Sequence, residues 1–228
     1  MSGDLAAFRA SMLLLADGRF PAGGHAHSGG VEAAVTAGLV GDPPELERFL
    51  RGRLRTAGLV AAALARVACA RALEGCDDWT VLDAEADART PSPAQREASR
   101  RQGRALLRAA RIAWPSARPL GLLSMAAAPP HHPVVLGAAA AAAGCSPPEA
   151  ALVAAYQSVS GPASAAVRLL SLDPLAVNAV IARLTAEVDL VARQAAAPGP
   201  GELPFPSAPA LDLLAEAHAQ AEVKLFAS

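Results

Sequence analysis

Apolar residues recur at helical spacing along much of this 228-residue chain. One such stripe predicts an amphipathic helix over residues 4–16, and its members are Leu5, Phe8, Met12 and Leu15. Another predicts a helix of about five turns after Asp173, with members Val177, Val180, Ile181, Leu184, Val188 and Val191. No alternating run is long enough to predict a sheet. The pattern therefore predicts an all-α fold.

Four helix starts are marked by an oxygen-bearing side chain followed directly by proline. The oxygen can accept a hydrogen bond from an amide of the first helical turn, and proline has no N–H that would need a partner there. The four pairs are Asp42-Pro43, Ser92-Pro93, Ser146-Pro147 and Asp173-Pro174. We expect the helix after Asp42 to run to about Leu73.

Proline and glycine mark the other boundaries. Gly161-Pro162 is expected to bend or interrupt a helix. The segment 195–209 is rich in both residues and predicts a surface loop before a last helix, from Ala210 to about Val223, and a short tail. These signals predict a single domain, residues 1–228, built as a bundle of roughly eight to ten helices.

Composition agrees with this prediction and restricts the possible partners. Hydrophobic residues make up 53% of the chain and aromatic residues 4%, while about a quarter is alanine, which favours closely packed helices. The net charge of -1 gives no overall attraction for nucleic acid or an anionic membrane. The longest apolar stretches, 58–65 and 134–144, are shorter than the roughly 20 residues of a membrane span. Three cysteines without a CxxC motif indicate a reducing, cytoplasmic location.

The stretch from Leu13 to Glu32 carries the densest turn signals, with Pro21 and two glycine pairs around His25 and His27. Such a stretch predicts a shaped loop, with a helix opening near Ser28. The glycine spacing matches neither a dinucleotide-binding loop nor a P-loop, which excludes nucleotide binding of those types.

Two histidines at this spacing raise the alternatives of a metal site and of a small metal-dependent hydrolase. The sequence places no further ligands beside them, and Ser28 lies in no nucleophile motif. We therefore predict no dedicated metal site, no bound cofactor and no catalytic residue, and the hydrolase remains the weaker alternative.

Arginines recur every fourth residue from Arg96 to Arg108, and with Arg101 and Arg111 beside them they form a basic stripe, Arg96–Arg111, on one predicted helix. Acidic residues just upstream offer partners: Asp77, Asp78, Asp83, Glu85 and Asp87. We predict pairing within the chain or with a protein, because no aromatic residues interleave to stack on bases. A helical nucleic-acid-binding regulator that uses this stripe remains the alternative.

Three blocks resemble the urease accessory protein UreF family. The first is Leu13 to Glu32, similar to the family's Phe-Pro, Gly-Gly, His-Ser and Gly-Leu-Glu pattern. The second is the Glu- and Arg-rich helix from Glu97 to Leu107, which contains a glycine. The third is Pro209 to Ser228, similar to a helix that ends in Arg-Leu-Phe-X-Ser. Between them, residues 137–174 resemble a small-residue helix pair in which a basic residue, Arg168, precedes a Leu-rich turn.

The resemblance implies an all-α, often dimeric, non-catalytic protein. It implies a complex with UreD, also called UreH, and with the GTPase UreG, which delivers nickel to the urease apoprotein. The loop and tail of this family organise the surface where UreG docks. By position, the resemblance assigns partner binding to eight residues: His25, His27, Ser28, Glu32, Arg168, Lys224, Leu225 and Phe226.

Two of these residues depart from the family pattern. His25 stands where the family has Tyr or Phe, and Lys224 stands where it has Arg. Lysine lacks the planar guanidinium fork, and histidine offers less stacking area than tyrosine. We therefore expect the bonding between loop and tail to be weaker here, or replaced.

Overall fold

The computed structural model describes residues 10–20, 26–196 and 199–226. These residues form helices and turns and contain no β-strand, which confirms the predicted all-α bundle. The helices are α1 (Ala10–Ala16), α2 (Val31–Thr36), α3 (Pro43–Arg53), α4 (Leu59–Leu73), α5 (Thr80–Ala88), α6 (Pro93–Ala113), α7 (Arg118–Leu123), α8 (His132–Ala142), α9 (Pro147–Leu170), α10 (Pro174–Gln194) and α11 (Pro209–Gln220). Since α3 and α4 form one continuous rod, the described residues make ten rods, within the predicted range.

The four predicted helix starts are confirmed. At three of them the side chain of the capping residue accepts from a first-turn amide: Asp42 from Glu45 at 2.8 Å, Ser92 from Gln95 at 3.1 Å, and Asp173 from Leu175 at 2.9 Å. The fourth, at Ser146, is a capping box with Glu149. Local sequence thus fixes where these helices begin.

The rod Pro43–Leu73 combines α3, a π-helical segment at Leu54–Gly58 and α4. By length and composition alone it could cross a membrane, although the separate apolar stretches predicted no span. More than half of its most apolar window, 56%, is buried inside the bundle. Buried core helices often pass the same test, so this one is weak evidence for a membrane span.

The core forms where α4 packs on α8 and α9. Gly137 on α8 faces the backbone of α4: a Cβ atom there would lie 2.3 Å from the carbonyl oxygen of Ala65. Much of the buried surface of α4 is alanine. Small side chains therefore bring these helices close together, as the alanine-rich composition indicated.

The sequence predicted a bend or an interruption at Gly161-Pro162, and helix α9 continues through both residues without interruption. Proline inside a helix leaves the carbonyl four residues earlier without its usual donor. Here that carbonyl belongs to Ser158, and Arg53 on α3 donates to it from Nε at 3.2 Å. The tertiary contact replaces the missing helical bond.

Other boundaries differ by a few residues. Helix α11 ends at Gln220, before the predicted Val223, and α2 begins at Val31, after Ser28. The Pro/Gly-rich segment 195–209 contains one 3-10 turn, Pro200–Glu202, within its described part. Residues 4–9 of the predicted first helix lie outside the described residues.

The contact at Gly137 generates a stability prediction. Gly137→Ala should lower the free energy of unfolding by about 1–3 kcal/mol, because the added methyl forces α8 away from α4. The matched control is Gly121→Ala on α7, where a Cβ atom meets nothing within 4 Å. Urea denaturation of both variants tests this prediction, and equal midpoints would contradict it.

Candidate functional site

The stretch Ser28 to Glu32 forms a defined turn into α2. Gly29 and Gly30 have φ angles of +61° and +90°, in the left-handed region that favours glycine. Ser28 is buried, and its Oγ accepts a hydrogen bond from the Glu32 amide at 3.4 Å. The glycine pair is therefore needed for the chain direction at this turn.

This turn is seated on α9 at Pro162. A Cβ atom on Gly29 would lie 2.7 Å from Cγ of Pro162 and 3.4 Å from Cζ of Arg53. Gly29 thus covers the place where Arg53 bonds to the Ser158 carbonyl. Neither Arg53 nor Pro162 was assigned to the site from sequence, although a basic residue in a core helix and a proline inside a helix are the signals that could have found them.

The carboxylate of Glu32 joins the turn to the C-terminal tail. Its Oε1 accepts from the Leu225 amide at 2.7 Å, and its Oε2 accepts from the Phe226 amide at 3.0 Å. Nε2 of His218 on α11 lies 3.5 Å from Glu32 Oε2 and 3.4 Å from the Phe226 carbonyl oxygen. Hydrogen bonds to a carboxylate are stronger than those between neutral groups, so the tail is held firmly against α2.

Phe226 anchors the tail through its side chain as well. Its ring is 95% buried, and the guanidinium of the exposed Arg168 lies 4.4 Å from the ring centroid. Such a cation–π contact contributes about 0.5–1 kcal/mol at exposed sites. The structure thus brings together Glu32, Arg168, Leu225 and Phe226. We call these four residues and Ser28 the loop–tail corner.

The residues next to Phe226 face solvent. Val223 is 89% exposed, Leu225 is 75% exposed, and Lys224 is exposed too. The Lys224 ammonium donates to the Ala219 carbonyl at 2.8 Å, near the end of α11. Among the described residues, Lys224 therefore bonds the end of the preceding helix α11, and the bonding between loop and tail goes through Glu32 instead.

Of the two loop histidines, only His27 lies within the described residues. His25 lies outside the described residues, so its assigned role stays a prediction. His27 is buried, and burial, with a smaller effect from the positive charge of Arg101, lowers its pKa to about 4. His132 on α8 is similar: burial chiefly, and then His27, lower its pKa to about 4. The imidazoles of His27 and His132 are therefore neutral at pH 7.

The polar groups of the loop–tail corner bond to each other within the protein. Each oxygen of Glu32 already accepts a backbone amide of the tail. Both oxygens of the carboxylate are thus engaged in holding the tail. The corner instead presents fixed backbone and exposed side chains, which suits recognition by another protein.

The arginine stripe is partly neutralised within the chain. Arg100 pairs with Asp83 at 2.9 Å and with Asp87 at 2.7 Å, and Arg96 lies 3.9 Å from Asp87. The predicted pairing with upstream acidic residues is thus confirmed for the first half of the stripe. Further along α6, three exposed arginines make no ion pair with any described residue: Arg104, Arg108 and Arg111.

His131 completes a polar network that the sequence analysis missed. Its Nε2 donates to Asp87 Oδ1 at 2.8 Å, so its neutral ring accepts at Nδ1 from the Ser99 hydroxyl at 3.0 Å. Burial lowers the pKa of His131, and the bond to Asp87 only partly opposes this. For Asp87, burial raises the pKa, but His131 and Arg100 lower it overall.

Asp83, Asp87 and His131 lie close enough together to hold a metal ion. Their ligand atoms are already bonded, however: Arg100 donates to both carboxylates, and the His131 amide donates to Asp83 at 3.0 Å. The half-buried guanidinium of Arg100 at this place opposes a second cation. We interpret the cluster as a structural link between α5, α6 and α8.

Comparison with known proteins decides the family. The UreF family model matches residues 40–185. The chain belongs to the UreF family. It is 47% identical to a urease accessory protein UreF of Mycolicibacterium vanbaalenii over 96% of this chain and 98% of that protein. Proteins of the same name from Mycobacterium bovis BCG Pasteur and Mycobacterium tuberculosis H37Ra are 44% and 43% identical, with the same coverage. The UreF resemblance in the sequence is thereby confirmed.

The bonding at Glu32 yields a prediction for this UreF chain. Glu32→Gln should speed amide exchange at Leu225 and Phe226 by about tenfold or more, because a side-chain NH₂ group would face one of the two amides. Hydrogen–deuterium exchange of the C-terminal peptide measures this rate. Glu222→Gln, an exposed change in the same tail, is the control. Equal exchange in both variants would contradict the role given to Glu32.

The lowered pKa of His132 predicts a pH dependence of stability. Because folding lowers the pKa of His132, the unfolded chain binds more protons below pH 6.5, and stability falls from there toward pH 4. His132 alone should account for about 1–2 kcal/mol of lost unfolding free energy between pH 7 and pH 5. His132→Gln should flatten that slope in urea denaturation series, and an unchanged slope would refute the assignment.

Proposed function

We propose that this chain is a non-catalytic scaffold for urease maturation. With UreD/UreH and UreG it forms a complex that depends on GTP hydrolysis and inserts nickel into the urease active site. UreG supplies the GTPase, and the urease apoprotein receives the nickel as cargo. The chain acts in the cytoplasm as a homodimer. Family membership over nearly the full chain carries this proposal.

The loop–tail corner supports a docking surface for UreG. Its residues divide into two groups by exposure. The contact group is exposed: Arg168, Lys224 and Leu225. The supporting group is buried and fixes the contact group in place: His27, Ser28, Glu32 and Phe226. His25 completes the proposed surface from its position in the sequence.

We propose that the chain has no catalytic role, because the titratable side chains of the loop–tail corner already serve to hold it together. The Glu32 oxygens are engaged by tail amides, and the described imidazole of His27 is buried and neutral. Both groups stabilise the corner. We therefore propose that the chain acts by holding its partners in a fixed arrangement.

A nucleic-acid-binding regulator is the second candidate. The exposed Arg104, Arg108 and Arg111 favour it, since unpaired arginines on one helix can contact phosphates. The net charge of -1 and the pairing of the first half of the stripe oppose it. DNA binding that weakens steeply with salt and is lost in Arg108→Gln would support this candidate.

Co-purification and urease activation test the scaffold proposal. The tagged chain should retain UreD and UreG on size-exclusion chromatography with GTP, and it should restore urease activity when co-expressed. Leu225→Asp should weaken UreG retention and urease activation by about tenfold or more, because it places a charge in the contact group. Met125→Asp, at a residue 82% exposed after α7, should match the unaltered chain.

The outcomes separate the two parts of the proposal. Failure of the unaltered chain to retain either partner would reject the scaffold role. Full activity of Leu225→Asp, with normal retention of UreG, would reject the corner as the docking surface and leave the scaffold role standing.

A further inference from the structure

Two cavities lie on either side of Arg53, with volumes of about 570 Å³ and 560 Å³. They share part of their lining. The polar side chains in the shared part are Arg53 from α3, Gln102 from α6 and His132 from α8. Three separate helices thus direct a polar residue to one place inside the bundle.

The Arg53 guanidinium has little bonding within the protein. Its Nε donates to the Ser158 carbonyl at 3.2 Å, which leaves four of its five N–H groups without an acceptor among the described residues. No described carboxylate lies within ion-pair distance of it. Burial lowers its pKa to about 10, so the group is still charged at neutral pH. Arg53 is half-buried, and proteins usually pair a cation that is withdrawn from water.

The two neighbouring polar groups are also without partners. The side chains of Gln102 and His132 make no hydrogen bond with any described residue. The His132 ring is neutral at pH 7 and can donate one N–H. Gln102 offers two more N–H donors. The shared lining is therefore rich in donors that the protein itself does not use.

The charges around the cavities favour an anion over a metal ion. Asp17 is the one described carboxylate in the first cavity, and it is exposed and paired with Arg19. Glu97 is the one described carboxylate in the second cavity, and it pairs with Arg101 at 2.5 Å. The remaining charged groups that line the two cavities are cations. A metal ion here would face Arg53 without a negative ligand beside it.

We propose that Arg53 binds a small carboxylate-type oxyanion between α3, α6 and α8, with Gln102 and His132 donating further hydrogen bonds to it. The planar guanidinium fork matches the paired oxygens of a carboxylate. Gly29 covers the site, because only a residue without a Cβ atom fits against Pro162 there. This site is independent of the proposed role in urease maturation, which needs no bound anion.

Thermal unfolding of the full chain tests the site. At pH 7 and constant ionic strength, sodium formate or acetate in place of chloride should raise the melting temperature of the unaltered chain in a saturable way. Arg53→Gln should weaken the apparent affinity by about tenfold or more, because the charged fork is lost. Arg53→Lys keeps the charge, so its apparent affinity should lie between those of the unaltered chain and Arg53→Gln. Arg108→Gln, an exposed change on α6, should behave like the unaltered chain.

A second measurement needs no variant and applies even if Arg53→Gln does not fold. Titration of ¹³C-formate with the unaltered chain should broaden the ¹³C resonance, and acetate should reverse the broadening by competition. Equal stabilisation by chloride, no saturable broadening, or a full formate response in folded Arg53→Gln would each overturn the site. Stabilisation by Ni²⁺ without any response to formate would assign the cavity to a metal instead.

Discussion

The hydrogen bonds that Glu32 accepts from the tail join two segments that are far apart in the sequence. One carboxylate on the first turn of α2 accepts the amides of Leu225 and Phe226, more than 190 residues away in sequence. A buried carboxylate is tolerated only when its oxygens have donors. The tail therefore stabilises Glu32 as much as Glu32 holds the tail. His218 of α11 lies beside the same carboxylate, and the Phe226 ring packs against Arg168.

The helix starts could be predicted from the sequence because capping is local. An acceptor at Asp42, Ser92, Ser146 or Asp173 bonds an amide two or three residues further on, and proline has no N–H that would need a partner at the next position. The helix is not interrupted at Pro162, and this could not be predicted because the compensating contact is distant in sequence. The donor that compensates for this proline is Arg53, which lies 105 residues before the Ser158 carbonyl that it bonds, and no local pattern records that contact.

In the candidate site, too, local features could be predicted from the sequence and contacts between distant segments could not. The glycine pair and Ser28 predict a turn by themselves, but nothing in their spacing indicates that the C-terminal tail packs against it. That association came from resemblance to the UreF family. The network around His131 was missed because its members come from α5, α6 and the start of α8. The acidic residues were paired correctly with the arginine stripe, yet the buried histidine between them becomes visible only in the fold.

The way the tail is held leaves its exposed side chains available. Both bonds from Glu32 are made to backbone amides, so they do not depend on which side chain stands at position 225. Phe226 supplies the apolar anchor, while Leu225 and Val223 keep most of their surface in solvent. Binding an already ordered segment costs less conformational entropy than ordering a free one. A partner can therefore bury Leu225 without first arranging the tail, and it can leave again without disturbing the corner.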